Sequence, residues 1–200
     1  MARYLVVDLS PHGLGHLGQA APLVNLLQEI VPDLRVSVRA NIPRAAIQAR
    51  LERTFDLFPA PSDPGACVGA GYRVDWLRTI RAHADVRSRY AELLTASMDE
   101  LARLDPELLL TNIGYVGLDA VANLGIPTLA FGSLNWADVP EEACPGDPSV
   151  AQLCMGMRTS YSRATKFIGL TPGMPSRGVG GVPTSGPACT TAPGVRLRLA

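Results

Sequence analysis

Two histidines stand in a glycine-rich stretch near the start of the chain, Ser10-Pro11-His12-Gly13-Leu14-Gly15-His16-Leu17-Gly18, directly after the apolar run Tyr4–Leu9. A neutral imidazole can take a proton from a hydroxyl, because its unperturbed pKa of about 6.5 leaves it largely uncharged near neutral pH. Gly13, Gly15 and Gly18 let the backbone turn tightly and approach a ligand with no Cβ in the way. The residues from His16 onward have helical spacing. A strand-to-helix loop of this kind opens the ligand crevice of a parallel sheet.

The elements that must hold this loop follow from the pattern of the chain. Short Val/Leu/Ile runs alternate with longer segments of helical period, which predicts an α/β fold: a three-layer Rossmann-like domain with a mostly parallel sheet of about six strands. Strands are expected at Tyr4–Leu9, Leu34–Arg39, Thr54–Phe58, Leu108–Asn112, Ile126–Phe131 and Lys166–Leu170. Helices are expected after His16, from near Pro43, from Asp75 unbroken to about Leu104, from Val116 to a Gly125 cap, and from Val150 to Ala164. Residues 59–71 read as a loop over the top of the sheet. Gly, Pro, Ser and Thr dominate after Thr171, so residues 1–172 are expected to form the domain and 173–200 a disordered tail.

Composition narrows the function. The 200 residues carry 18 Lys+Arg against 18 Asp+Glu, a balance that argues against bulk binding to nucleic acid or an acidic membrane. Cys67, Cys144, Cys154 and Cys189 have no metal-ligand or disulfide rhythm, so no metal site is expected and a reduced, cytoplasmic setting is. No apolar run reaches transmembrane length, and the polar glycine loop breaks any secretion signal.

Gly13-x-Gly15-x-x-Gly18 also matches the dinucleotide fingerprint. Against it, Ser10-Pro11-His12 separate the strand from the glycines, and the second strand ends in Arg39-Ala40-Asn41 where a ribose-binding acid belongs. Arg39 is able in principle to hold a 2′-phosphate, which leaves an NADP-binding module as the alternative.

The run Gly15-His16, with Pro22-Leu23 and Leu27 behind it, resembles the N-terminal domain of GT-B glycosyltransferases, the group of the UDP-glycosyltransferases and MurG-type enzymes. Pro106–Asn112 with Ala122-Asn123-Leu124-Gly125-Ile126-Pro127 is similar to their fourth-strand motif, and Ser133–Asp138 resembles the aromatic segment after their fifth strand. The resemblance covers about residues 3 to 172. It implies sugar transfer from a nucleotide-sugar co-substrate to a hydroxyl acceptor, without a metal or other cofactor. His16 would be the base; Ser10, His12, Gly13, Gly15, Asn112, Asn135 and Trp136 would line the substrate side of the cleft.

The family steadies its histidine with a carboxylate where this sequence has Asn112, so Asp8 and Asp119 are the possible substitutes and His12 the other candidate base. Such enzymes grip the donor with a second Rossmann-like domain, and no second glycine loop follows Thr171. The chain is therefore expected to be an acceptor-side half with little transfer activity unaided, completed by a separate donor-binding domain or serving as a non-catalytic binding subunit. The plainer roles are a loop cap for His16, groove filling for Trp136, a turn for Asn135, and a solvated helix face for His83 with Arg78, Arg81, Arg87 and Arg89. Throughout, the His16 ring is expected to face an open crevice beside residues 112 and 135.

Overall fold

Residues 5, 7 and 9 of the first strand, β1 (Tyr4–Leu9), point to one face of the sheet and Val6 and Asp8 to the other, so one six-residue run seeds two cores. In this computed structural model residues 3–12, 14–60, 63–174 and 184–185 are described. Leu5, Val7 and Leu9 pack against Leu17, Ala20, Ala21 and Val24 of helix α1 (Gly15–Ile30) and Ile47 of α2 (Arg44–Gln48). Val6 meets Leu101 of α4 (Tyr90–Leu104) and Ala120 and Val121 of α5 (Tyr115–Leu124). The result is a sheet with helices on both faces.

The sheet has strand order β3-β2-β1-β4-β5-β6-β7, every pair parallel. Its other members are β2 (Arg35–Arg39), β3 (Asp56–Phe58), β4 (Leu108–Asn112), β5 (Thr128–Gly132), β6 (Lys166–Leu170) and the two-residue β7 (Thr184–Ser185). Of the tail, residues 175–183 and 186–200 lie outside the described residues, and Thr184–Ser185 pair with the end of β6. Chain order reverses between β1 and β4, where Leu9 is in register with Asn112. The loops after these two strands therefore part company and leave the crevice in which ligands bind in open α/β sheets.

Two features differ from the sequence expectation. The single helix expected from Asp75 to Leu104 is two, α3 (Trp76–Ser88) and α4, broken at Arg89 (φ −107°, ψ 19°). No Gly or Pro marks the break; the Ser88 hydroxyl donates to the Asp85 carbonyl and competes with the helical ladder. The bend lets α3 meet α6 (Asp138–Ala143) and α7 (Pro148–Tyr161) while α4 lies along α5. The second difference is α6 itself, a short helix that the sequence reading passed over.

Beneath the crevice lies a buried ion cluster. Arg39, at the end of β2, is 0% exposed; its Nη1 donates to Asp8 Oδ2 at 3.0 Å, its Nε to Glu100 Oε2 at 2.7 Å and its Nη2 to Ser97 Oγ at 2.9 Å. Gly117 of α5 is the lid of this cluster, since a Cβ there would overlap Asp8 Oδ2. A side chain that is sealed in and already bonded to three partners cannot hold a 2′-phosphate. The NADP role considered for Arg39 is overturned by this burial.

Candidate functional site

His16 lies in the first turn of α1 and Asn112 at the end of β4, on opposite sides of the switch point. Asn112 has the parity of Leu110, which faces the α1 core, so strand alternation turns its side chain toward that helix. His16 Nδ1 and Asn112 Oδ1 are 2.5 Å apart. The residue after Asn112, Ile113, holds a left-handed backbone (φ 59°), an uncommon state for a β-branched side chain and one that costs on the order of 1–3 kcal/mol. Tyr161 donates its hydroxyl hydrogen to the Ile113 carbonyl at 2.7 Å and fixes that turn.

The ring of His16 is not in an open crevice. His16 is 7% exposed, and its ring meets the edge of Trp136 with centroids 5.9 Å apart. Trp136, 1% exposed, is the hub of three imidazoles: His12 lies 5.7 Å from it and His83 5.9 Å. Burial lowers the His16 pKa below its usual 6.5, more than the Asn112 bond raises it, with a smaller push from the neighbouring His12. The imidazole is therefore neutral at neutral pH, and burial is the main reason.

The remaining sequence candidates divide. Ser10 is fully buried: its hydroxyl donates to Asp63 Oδ1 at 2.8 Å and accepts from Trp136 Nε1 at 3.2 Å. Asn135 makes the turn into α6, its Oδ1 accepting from the amides of Ala137 and Asp138 and its Nδ2 donating to Asp138 Oδ2. His12 is half-buried, Gly15 exposed, and Gly13 lies outside the described residues. Neither substitute carboxylate reaches His16. Asp8 is bound to Arg39, and Asp119 accepts from Tyr90, Ser160 and Arg163.

His83 overturns its expected solvated setting: it is fully buried, with Nδ1 3.1 Å from the Tyr115 hydroxyl, and burial lowers its pKa to about 4. Arg78, Arg81, Arg87 and Arg89 are exposed as expected, Arg89 pairing with Asp85.

Sequence reasoning missed Asp63 and Gln19, while Ser133 opens the segment already read as part of the cleft. Gln19 is three residues beyond His16, hence on the same face of α1, a signal that was available. Asp63 sits in a loop with no periodicity, and no sequence signal marks it. It is fully buried, and this raises its pKa to about 7 against the lowering effect of Ser10 and the Gly65 amide. Gly65 takes φ 65° and presses on His12, where a Cβ would clash.

A pH prediction follows from Asp63. Its folded pKa exceeds its unfolded value of about 3.8, so stability contributed by the neutral acid is complete below 3.8 and lost as pH rises to about 7, on the order of 4 kcal/mol in all. His83 acts in the opposite direction, losing stability as pH falls from 6.5 toward 4. Urea midpoints of the wild type and Asp63→Asn between pH 4 and 8 separate the two. The variant gains on the wild type as pH rises; a difference that stays flat refutes the assignment.

Solved structures that share this arrangement of strands and helices include glycosyltransferases. A UDP-glucosyltransferase from Polygonum tinctorium capable of glucosylating indoxyl matches 93% of this chain at 14% identity and a TM-score of 0.55. This is the fold of UDP-glycosyltransferases, over about half their length. The chain spans 53% of the Polygonum enzyme, 46% of a Medicago truncatula glycosyltransferase complexed with UDP-glucose (13% identity, TM-score 0.54) and 47% of the glycotransferase of kitacinnamycin (17% identity, TM-score 0.52). No protein-family model matches the sequence, and no curated protein does. Among the described residues of this glycosyltransferase fold, no helix is long and apolar enough to cross a membrane.

Proposed function

We propose that the chain is the acceptor-side domain of a nucleotide-sugar glycosyltransferase, with His16 as the general base. Nε2 of His16 takes the proton of an acceptor hydroxyl while that oxygen bonds to the anomeric carbon and the bond from that carbon to the nucleotide diphosphate breaks. The observation that carries this is a neutral imidazole at the switch point whose other nitrogen is held by Asn112. A neutral ring is competent to accept a proton, and a hydrogen bond on Nδ1 aims Nε2.

The donor nucleotide belongs to a second, separately folded half; the half-length match to the glycosyltransferases supports this division. Asn112 leaves the imidazolium formed during transfer without a countercharge. It orients the ring but supplies no compensation, so the reaction relies on a prompt loss of that proton to solvent.

The test is ligand binding by the chain as it is. In NMR titrations with a panel of phenols and sugar alcohols, at least one compound shifts the His16 ring and Asn112 amide signals, and NADPH leaves the melting temperature unchanged. Stabilisation by NADPH, or a His16 ring that no hydroxyl compound perturbs, overturns the proposal.

A further inference from the structure

Resting on the assignment of His16 as the base, we propose that Gln19 and Ser133 are positioning residues that select which nitrogen of His16 is free to accept a proton. An aspartate beside Nδ1 accepts a hydrogen whichever way its carboxylate is turned. An asparagine does not: with its oxygen toward the ring it makes Nδ1 the N–H and leaves a lone pair on Nε2, and with its nitrogen toward the ring it does the reverse. A neutral amide at residue 112 therefore needs something else to decide its orientation.

Side chains from helix α1 and from the ends of β4 and β5 provide it. Asn112 Nδ2 donates to Gln19 Oε1 at 3.0 Å, which leaves Asn112 Oδ1 for His16 Nδ1. Gln19 Nε2 in turn donates to Ser133 Oγ at 2.9 Å, so the second amide keeps its bond on turning only if that hydroxyl reverses too. Ser133 follows β5, and the Met174 amide donates to its carbonyl at 2.7 Å, which ties the far end of the chain of bonds to the segment after β6. Turning Asn112 over alone would set its oxygen against the Gln19 oxygen and leave that oxygen without its donor. Reversal requires both amides to turn and the Ser133 hydroxyl to point inward. The four side chains thus act as one unit with a direction, ending in an Nδ1–H imidazole.

The test reads the tautomer directly and needs neither donor nor acceptor, so it can fail while sugar transfer stands and the reverse. Long-range proton–nitrogen NMR of the full chain, labelled with nitrogen-15, is expected to show His16 mainly as the Nδ1–H form at pH 7.5. Gln19→Leu frees Asn112 to turn, and the Nε2–H form rises to about half of the population, because nothing then distinguishes the two amide orientations. Gln19→Glu, which still accepts from Asn112, keeps the Nδ1–H form. Asn112→Asp keeps it even in combination with Gln19→Leu. In a transfer assay with a donor-binding half, kcat of Gln19→Leu falls about twofold, in proportion to the tautomer lost, with KM unchanged. If Gln19→Leu does not fold, Ser133→Ala carries the same measurement and also raises the Nε2–H fraction. An Nε2–H wild type, or a tautomer ratio that neither variant moves, overturns the proposal.

Discussion

Arg39→Leu is expected to lower the stability of the domain by about 3–5 kcal/mol, the cost of leaving a buried charge without its partner. Asp8 is fully enclosed, and burial already raises its pKa against the lowering effect of the Arg39 guanidinium. Taking away the guanidinium leaves Asp8 to be protonated or stranded, and it deprives Glu100 and Ser97 of the same donor. Against a typical total of about 5–15 kcal/mol, a loss of this size is a large share of what holds the domain folded.

Two controls sharpen this expectation. The deficit narrows on acidification toward pH 4, because Asp8 in the variant has a raised folded pKa and contributes most when neutral. The pair Arg39→Leu with Asp8→Leu recovers part of the loss, since the enclosed Asp8 is no longer stranded while the more exposed Glu100 still lacks its partner. Arg39→Lys does not recover it, because an ammonium lacks the planar fork that reaches three acceptors. Denaturant unfolding checks all of these. A single variant within 1 kcal/mol of the wild type refutes the account, 1 kcal/mol being the usual size of one ordinary hydrogen bond.

The second large effect is on chemistry. With a donor-binding half supplied, His16→Ala is expected to reduce transfer about 10²–10⁴-fold, the range for loss of a positioned general base. Its folded pKa is lowered, so the base is lost only when pH drops below the ordinary value of 6.5. The acid limb of kcat/KM for the wild type accordingly lies below pH 6.5 and disappears in the variant. Near-wild-type transfer by His16→Ala, or an acid limb above pH 6.5 that survives the substitution, would remove His16 from the mechanism. His12 would then be the imidazole to test, half-buried beside both His16 and Trp136.

Much of the fold was legible because its signals are local. The apolar runs of β1, β4 and β5 read as buried strands, and the Gly125 cap, with φ 71°, ended α5 where its residue type said it would. The placing of His16 beside Asn112 was legible too, since a helix start and a strand end at the carboxyl edge of the sheet adjoin one crevice. What escaped was decided by packing. His83 has charged neighbours in sequence, yet Thr79, His83 and Val86 recur at helical spacing and all three are buried. The period was the better guide than the neighbours. Asp63 and Ser10 meet across 53 positions of sequence, and neither carries a mark of the other. Burial of His16 under Trp136 depends on a contact of the same kind, between segments that no local pattern connects.

The guanidinium under the crevice has a bearing on how substitution data for this domain are interpreted. Asp8, Arg39 and Gly117 lie just below the switch point, and a screen that scores only product formed would place all three beside His16 as essential. The loss at those positions would come from fewer folded molecules, each working at its normal rate. Normalising activity to the folded fraction would return them to the foundation and leave His16, Asn112 and Gln19 above it.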